Sequence, residues 1–241
     1  MNRGIYIGAR AMMTTSQWMD VVSNNLANAG TDGFKSDALV FSDVLTQKLY
    51  ANGGRGKYIG SMGNGPTTVS EYTDLKSGPI KRTGNNLDVA LRTTKGMFAV
   101  ENNGRTEYTR NGSFQLNSAN ELITSAGDHV LDDRGQKITF QPTGAIEIAP
   151  TGEITQDGAV VATLGVWDGQ FMKNGKNLWS ANNPTLMQNP ELAVGSLEGS
   201  NVEAVHAMID LIKVQRSFEM SQKSIQTQDD MNTKLFDMLN R

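Results

Sequence analysis

Residues 3–28 read RGIYIGARAMMTTSQWMDVVSNNLAN, and their apolar side chains recur with a helical period. The two heptad series in this stretch are Ile5, Met12, Met19 and Leu26, and Gly8, Thr15 and Val22. A pattern of this kind over about three heptads predicts a helix with one apolar stripe. The helix is expected to end at Asn28-Ala29-Gly30, because Gly30 can adopt the left-handed conformation that commonly follows a helix.

A second heptad pattern covers residues 201–240, at the other end of the chain. Its two series are Leu211, Phe218, Ile225, Asn232 and Leu239, and Val214, Ser221, Gln228 and Leu235. Ser200 or Asn201 is the expected N-cap, with Glu203 in the first turn. Forty residues of helix would extend about 60 Å, which is longer than a small domain is wide. The helix is therefore expected to project, and its stripe then needs partners.

Between these helices the chain carries closely spaced turn signals and short β-prone runs. Seven glycines from Gly104 to Gly158 follow one another at intervals of mostly six to nine residues. The β-prone runs are 97–100, 138–140, 146–148 and 160–164, and the expected hairpin turns are Asn103-Gly104, Asn111-Gly112, Asp157-Gly158 and Asp168-Gly169. Regular spacing of short strands and such turns predicts an antiparallel β domain over residues 84–200.

The predicted fold class is therefore α+β. Long N- and C-terminal helices pair as an α-helical coiled-coil domain, and a mainly antiparallel β domain is inserted between them. The predicted parts are the N-terminal helix of the helical assembly domain in 1–35, an extended linker or hinge region in 36–83, the β-rich domain in 84–200, and the C-terminal helix in 201–241. Within the linker, the Gly-rich stretch 51–65 is expected to be a mobile loop.

Composition argues against several classes of function. The chain has 22 Lys plus Arg against 25 Asp plus Glu, a net charge of −3, so it lacks the basic excess of a nucleic-acid-binding protein. It has no cysteine, which removes disulfides, thiol nucleophiles and cysteine-based metal sites. The two histidines, His129 and His206, lack the spacing of metal ligands. We therefore expect no catalytic residues, no cofactor and no metal.

The sequence also lacks the signals of membrane insertion. No apolar run approaches the length of a membrane-spanning helix. The first ten residues lack the apolar segment of a secretory signal peptide. The expected protein is cytoplasmic or is exported by a route that needs no cleaved signal.

Three asparagines, Asn24, Asn25 and Asn28, lie near the end of the first predicted helix, although asparagine is a poor helix former. Capping explains Asn28 but not the other two. An apolar stripe with amides beside it is typical of a specified interface, since the apolar groups supply attraction and the amides fix the register. The residues therefore predict an assembly protein.

The stretch Ser23–Lys35 closely resembles the signature N-N-L-A-N-x-x-T-x-G-F-K of bacterial flagellar rod and hook proteins. Further blocks that resemble this family, in its order, are 87–91, 96–100, 108–114, 197–205 and 215–219. The resemblance implies a tubular building block whose terminal segments pair into an inner helical layer, with the β domain outside.

The resemblance further implies a structural subunit of the flagellar basal-body rod, which assembles through its terminal helices into the drive shaft of motility. The chain is most similar to proximal-rod members, and a distal-rod or hook-type protein is the alternative. The implied partners are rod proteins above and below, copies of itself and the flagellar type III export apparatus, without nucleic acid or direct membrane insertion. The implied location is the periplasm-spanning rod of the basal body, reached without a cleaved signal peptide.

The predicted assembly interface combines the two stripes with the asparagines beside the first. Its members are Ile5, Met12, Met19, Val22, Asn24, Asn25, Leu26, Asn28, Leu211, Val214, Phe218, Ile225, Leu235 and Leu239. Because an isolated helix of this length is marginal in water, both chain ends are expected to stay loosely ordered until incorporation. Two other classes stay open from the residues alone: a secreted enzyme with a β catalytic domain, and an unrelated adhesin or scaffold with terminal coiled coils.

Overall fold

The computed structural model of the protein describes residues 3–43, 47–50, 58–62 and 66–239. The fold is α+β, with one helix near each end of the chain and a β-rich middle, as the sequence predicts. The chain divides into two units. Unit 1 is formed by the described residues of 1–27, 37–72 and 204–241, and unit 2 by residues 28–36 and 73–203.

Unit 1 contains both long helices and a small amount of sheet. Its elements are α1 (Arg3–Ala27), β1 (Asp37–Asp43), β2 (Gln47–Tyr50), β3 (Tyr58–Met62), most of β4 (Pro66–Thr73), and α2 (Ala204–Leu239). β1 pairs with β4, and β2 pairs with β3. The sequence analysis expected a linker over 36–83 and did not predict these strands. β3 also lies inside the Gly-rich stretch 51–65 that was expected to be a loop, and the rest of that stretch lies outside the described residues.

The two helices pack closely against each other within unit 1, and they run antiparallel. Gly4 faces the side chain of Gln228, and a Cβ added to Gly8 would lie 2.6 Å from Cγ1 of Ile225. At 1.5 Å per residue, the last ten residues of α2 extend about 15 Å beyond the start of α1. The same chain thus supplies a partner for much of the α1 stripe. The expectation of loosely ordered chain ends treated each helix as isolated, whereas the structure packs the two against each other.

Replacing Gly8 with valine should destabilise this helix pair. Valine favours a helix more than glycine does, but its side chain would overlap Ile225, so the midpoint of helix unfolding should fall by an amount equivalent to about 1–3 kcal/mol. Far-UV circular dichroism during thermal unfolding measures this change. Ala9→Val is the matched control, because Ala9 is exposed on the same helix. Equal midpoints for the two variants would contradict the close packing at Gly8.

Both predicted helix ends differ from the observed ones. Gly30 is not in the left-handed region, and α1 ends instead in a turn in which Thr31 N donates to Asn28 O at 3.1 Å. Neither Ser200 nor Asn201 caps α2, since the helix begins only at Ala204. The Ser200 hydroxyl accepts from Val202 N, and the Asn201 side chain binds other segments of the chain. The side chains of Ser200 and Asn201 therefore make other hydrogen bonds in place of the capping bonds expected from the sequence.

Unit 2 is built from fourteen strands in four antiparallel sheets. The strands are β5 (Ile80–Arg82), β6 (Val89–Leu91), β7 (Met97–Asn102), β8 (Arg105–Thr109), β9 (Phe114–Leu116), β10 (Leu122–Thr124), β11 (His129–Val130), β12 (Ile146–Ile148), β13 (Glu153–Gln156), β14 (Ala159–Thr163), β15 (Val166–Gly175), β16 (Leu178–Leu186), β17 (Leu192–Val194) and β18 (Ser196–Glu198). The sheet orders are β15-β16-β8-β7-β11-β10-β9, β12-β13-β14, β17-β6 and β18-β5.

In the largest sheet β15 also pairs with β7, so β15, β16, β8 and β7 form a closed ring of pairings. The main core packs apolar side chains from these strands against those of the smaller sheets, including Phe98, Val100, Ile154 and Val166. All four are fully buried. The inserted β structure therefore has a hydrophobic core of its own.

The turn signals predict two of the observed hairpins and fail at two sites. Asn103-Gly104 joins β7 to β8, and Asp157-Gly158 joins β13 to β14, with positive φ at all four residues. Asp168-Gly169 instead lies at a bulge inside β15, and that strand turns seven residues later, at residues 175–177. Asn111-Gly112 makes no hairpin, because Gly112 packs on the backbone of Val89 where no side chain fits.

Candidate functional site: helix surfaces and a buried ionic cluster

The asparagines that the sequence assigned to an interface have contacts within the chain. The Asn25 amide donates to Asp37 O at 2.7 Å and accepts from Asp37 N at 3.0 Å. It thus hydrogen-bonds both backbone groups of the first residue of β1. Asn28 accepts from the Thr31 hydroxyl at 3.2 Å. The structure thus gives Asn25 a role inside unit 1 that the sequence analysis did not predict.

The end of the signature, Gly33-Phe34-Lys35, is buried in unit 2. Gly33 has φ +70° and donates its N–H to Glu198 O at 2.6 Å, and a Cβ there would lie 2.5 Å from the Arg110 backbone. Only glycine fits such a position without strain. Phe34 is 3% exposed and lies under the Lys173 ammonium, which is 4.2 Å from its ring centre.

Lys35 ends in a buried ionic cluster with Glu198 and Arg110. Its Nζ lies 2.6 Å from Glu198 Oε1, and Arg110 Nη1 lies 3.3 Å from Glu198 Oε2. The three side chains are at most 1% exposed. A single carboxylate therefore faces two cations in a buried site.

Backbone groups complete the coordination of this cluster. Lys35 also donates to Lys76 O at 2.7 Å, and Glu198 Oε1 accepts from Gly78 N at 3.1 Å. Arg110 donates to the carbonyls of Thr93 and Thr94. Buried charges are stabilised by pairing and hydrogen bonding, and both cations here are paired with Glu198, while Arg110 Nε is left without a hydrogen-bond partner.

Burial disfavours the charged forms of Lys35 and Arg110. The pKa of Lys35 is lowered from its ordinary value, because loss of hydration outweighs the attraction of Glu198. The pKa of Arg110 is lowered for the same reason, with Glu198 again acting in the opposite direction. The carboxylate of Glu198 is therefore the group on which the charged forms of both cations depend.

The cluster joins three of the blocks that carry the family resemblance. Lys35 belongs to the signature, Arg110 to the block 108–114, and Glu198 to the block 197–205. The sequence analysis did not select these three residues. The available signal was that the three blocks carry charges of opposite sign, with Lys35 and Arg110 in two of them and Glu198 in the third.

The surface of the helix pair remains rich in apolar side chains. Those of α1 and α2 that are classed as exposed are Tyr6, Met13, Val205, Met208, Ile209, Ile212, Met220, Met231, Leu235, Phe236 and Met238. The last four lie on the part of α2 that extends beyond α1, and each is at least 53% exposed. The single chain therefore leaves four large apolar side chains at this helix end exposed.

The predicted interface residues divide by their exposure in the single chain. Val22 and Val214 are buried, and Asn24 and Leu235 are exposed. The Leu239 side chain lies outside the described part of the structure. The other members are half-buried: Ile5, Met12, Met19, Asn25, Leu26, Asn28, Leu211, Phe218 and Ile225. The predicted interface residues are thus mainly half-buried in the single chain, whereas Tyr6, Met13 and Phe236, which lie outside the heptad series, are exposed.

Within the described ranges, no group of three His, Asp or Glu side chains could hold a metal ion. Nor does either described helix have the length and apolarity needed to cross a membrane. His129 lies at the start of β11, with Nδ1 3.5 Å from Glu121 Oε2. The polar contacts described above hold segments of the chain together.

Three family descriptions match the sequence in succession. They are "Flagella basal body rod protein" over residues 5–35, "Flagellar hook protein FlgE/F/G D1 domain" over 93–162, and "Flagellar basal body rod FlgEFG protein C-terminal" over 193–238. The first covers nearly all of α1 and the whole signature, the second the centre of unit 2, and the third β18 and nearly all of α2.

Individual relatives match along the whole chain. Flagellar basal-body rod protein FlgF of Caulobacter vibrioides is 30% identical over 249 aligned residues, which cover 100% of this chain and 99% of the relative. FlgG of Bacillus subtilis is 30% identical over 264 residues, covering 99% of each protein. FlgF of Rhizobium meliloti is 29% identical, covering 91% of this chain and 90% of its own. The chain belongs to the flagellar basal-body rod protein family.

Proposed function

We propose that this protein is a structural subunit of the bacterial flagellar rod that assembles through its terminal helices into the tubular drive shaft of motility. The observation that carries this proposal is the apolar surface left on the helix pair, above all at the end of α2. Burying one such side chain completely contributes about 1.5–3 kcal/mol. Several of them on each subunit are enough to drive association.

In this proposal each subunit docks a helix pair that is already formed. The stripes of α1 and α2 cover each other in part, and the exposed apolar residues contact helices of neighbouring subunits in coiled-coil fashion. The predicted interface residues that are half-buried are covered in part within the same chain. Their remaining surface packs against neighbouring subunits on assembly. The contacts are head-to-tail, because an open helical array requires two different surfaces that fit each other.

The rod position that we propose is the proximal one, and the distal rod is the second candidate. The family match alone does not separate them, since FlgF and FlgG relatives both cover nearly the whole chain at 30% identity. The proximal position is favoured by the FlgF relative of Caulobacter vibrioides, which aligns over all of this chain and 99% of its own length.

The remaining parts of the proposal concern partners and location. The subunit contacts copies of itself and other rod proteins above and below, within the periplasm-spanning part of the basal body. It reaches that place through the flagellar type III export apparatus, without a cleaved signal peptide. It acts as a structural protein and not as an enzyme, as the names of its relatives indicate for them.

Deletion of the chromosomal gene and complementation in the source bacterium test this proposal. We expect the deletion strain to lose swimming, the intact chain to restore it, and the protein to be present in purified basal bodies by mass spectrometry. Swimming that persists without the gene, or basal bodies that lack the protein, would contradict the proposal. A discrete soluble oligomer without any rod would favour the unrelated scaffold instead.

The rod position has its own experiment. Basal bodies are purified from cells that lack the distal-rod protein, so that assembly stops below it. A proximal subunit should still be present in these incomplete rods, and a distal subunit should be absent. The presence of the intact chain in this preparation supports the proximal position, and its absence supports the distal one.

A further inference from the structure

Three segments of unit 2 adjoin places where the chain passes to or from unit 1. The first segment, 28–36, lies between α1 and β1. The second segment, 73–79, begins with the last residue of β4. The third segment, 196–203, precedes α2. The third segment carries Glu198 and Asn201. We call these three the connecting segments, and their mutual contacts all lie within unit 2.

Asn201 binds both of the other connecting segments. Its Oδ1 accepts from Ser36 N at 2.8 Å, and its Nδ2 donates to Asp74 O at 2.8 Å and to Lys76 O at 3.3 Å. Asp74 N also donates to Ser36 O at 2.9 Å. One half-buried amide thereby satisfies backbone groups on segments that are far apart in sequence.

The ionic cluster repeats the same pattern of contacts a few residues away. Lys35 of the first segment binds Lys76 O of the second and Glu198 of the third. Glu198 also binds the second segment through Gly78 N, and its carbonyl accepts from Gly33 N of the first. Each connecting segment is therefore bound to both others by polar contacts.

We propose that Asn201, Lys35 and Glu198 form a clasp that makes the three connecting segments one cooperative element, and that rod assembly requires this clasp. Buried polar and ionic groups are well suited to fixing one arrangement, since any shift of the chain leaves them unpaired. The three connecting segments are thus held by one another within unit 2 rather than each by its own local turn.

Asn201→Ala tests the clasp, and Asn117→Ala is its matched control. Asn117 is also half-buried and also makes three hydrogen bonds, but all of them lie within its own turn, to Ala119 and Glu121. The two substitutions therefore remove the same number of contacts from the same unit. They differ only in whether those contacts join distant segments.

Hydrogen exchange of the full chain, followed by mass spectrometry, is the first readout. In Asn201→Ala we expect amides of both 28–36 and 73–79 to exchange faster by roughly tenfold or more, while the strands of the large sheet keep their protection. In Asn117→Ala the increase should stay within 117–121. Faster exchange in only one of the two segments, or in neither, would overturn the clasp.

Swimming of the deletion strain is the second readout, and this part rests on the proposed function. With both variants present at the level of the intact chain, Asn201→Ala should lower swimming several-fold relative to Asn117→Ala. Equal swimming of the two strains would overturn the requirement for the clasp in assembly. If the intact chain itself fails to restore swimming, the proposed function fails, and the exchange measurement still decides the clasp.

Discussion

Replacing Glu198 with glutamine is expected to lower the free energy of unfolding of unit 2 by about 3–5 kcal/mol, because two buried cations are left without their carboxylate. This is a large part of the 5–15 kcal/mol that holds a typical domain folded. Urea unfolding followed by tryptophan fluorescence measures the change. A Trp18→Phe background leaves Trp167 and Trp179, both in unit 2, as the reporters.

Three further variants separate the contribution of the ionic contacts to stability from the effect of the substitution itself. Glu191→Gln is the control, since Glu191 is exposed in the same unit and should change stability by less than about 0.5 kcal/mol. Lys35→Met should cost less than Glu198→Gln, because Glu198 keeps Arg110 and Gly78 N. The double variant should lose less than the sum of the two single losses. A Glu198→Gln chain as stable as Glu191→Gln would contradict the account of the cluster.

Replacing Phe236 with aspartate should abolish incorporation into the rod while the free subunit stays folded. The side chain is 67% exposed on the end of α2, so its loss removes little packing within the chain. In an assembled interface the variant loses the burial of an aromatic ring, about 1.5–3 kcal/mol, and adds a charge that must be desolvated. Together these effects should weaken subunit association by more than about 100-fold.

The control for this prediction is Thr233→Asp, which adds the same charge to an exposed position on the same end of α2 without removing apolar surface. Quantitative mass spectrometry of purified basal bodies gives the incorporation, and circular dichroism of the free subunits confirms that both are folded. Thr233→Asp should be incorporated at close to the normal level. Normal incorporation of Phe236→Asp would show that this end of α2 is not an assembly surface.

The helices and the nature of the middle region could be predicted from the sequence, because both depend on local periodicity. The heptads in 3–28 and 201–240 correspond to α1 and α2, and the runs 97–100, 146–148 and 160–164 lie in or largely within strands. The run 138–140 is different: Ile138 and Phe140 are buried as expected, but only isolated bridges form there. Burial follows from apolar character, whereas strand pairing depends on neighbours far away in sequence.

The ionic cluster and the clasp could not be predicted, since they join residues that periodicity does not relate. Ser200 and Asn201 look like helix caps from the sequence, because Ser and Asn are favoured there. In the folded chain the Asn201 amide finds backbone partners at Ser36 and Asp74 instead. Similarly, the sequence gives no sign that the Lys35 side chain is buried. In the folded chain it is buried beside Glu198, which is distant in sequence.

The construction of unit 1 from both ends of the chain also bears on the order in which the protein folds. Gly4 meets Gln228, so the helix pair joins residues more than 200 positions apart, whereas unit 2 is built largely from one continuous stretch, 73–203. Contacts between distant residues form slowly, because their loop-closure entropy is lost before they contribute stability. A nascent chain therefore cannot complete its helix pair until the part of α2 that contains Ile225 and Gln228 is free. In the proposed function, the surface that joins subunits thus forms only after most of the chain has been synthesised, so polymerisation before that point is disfavoured.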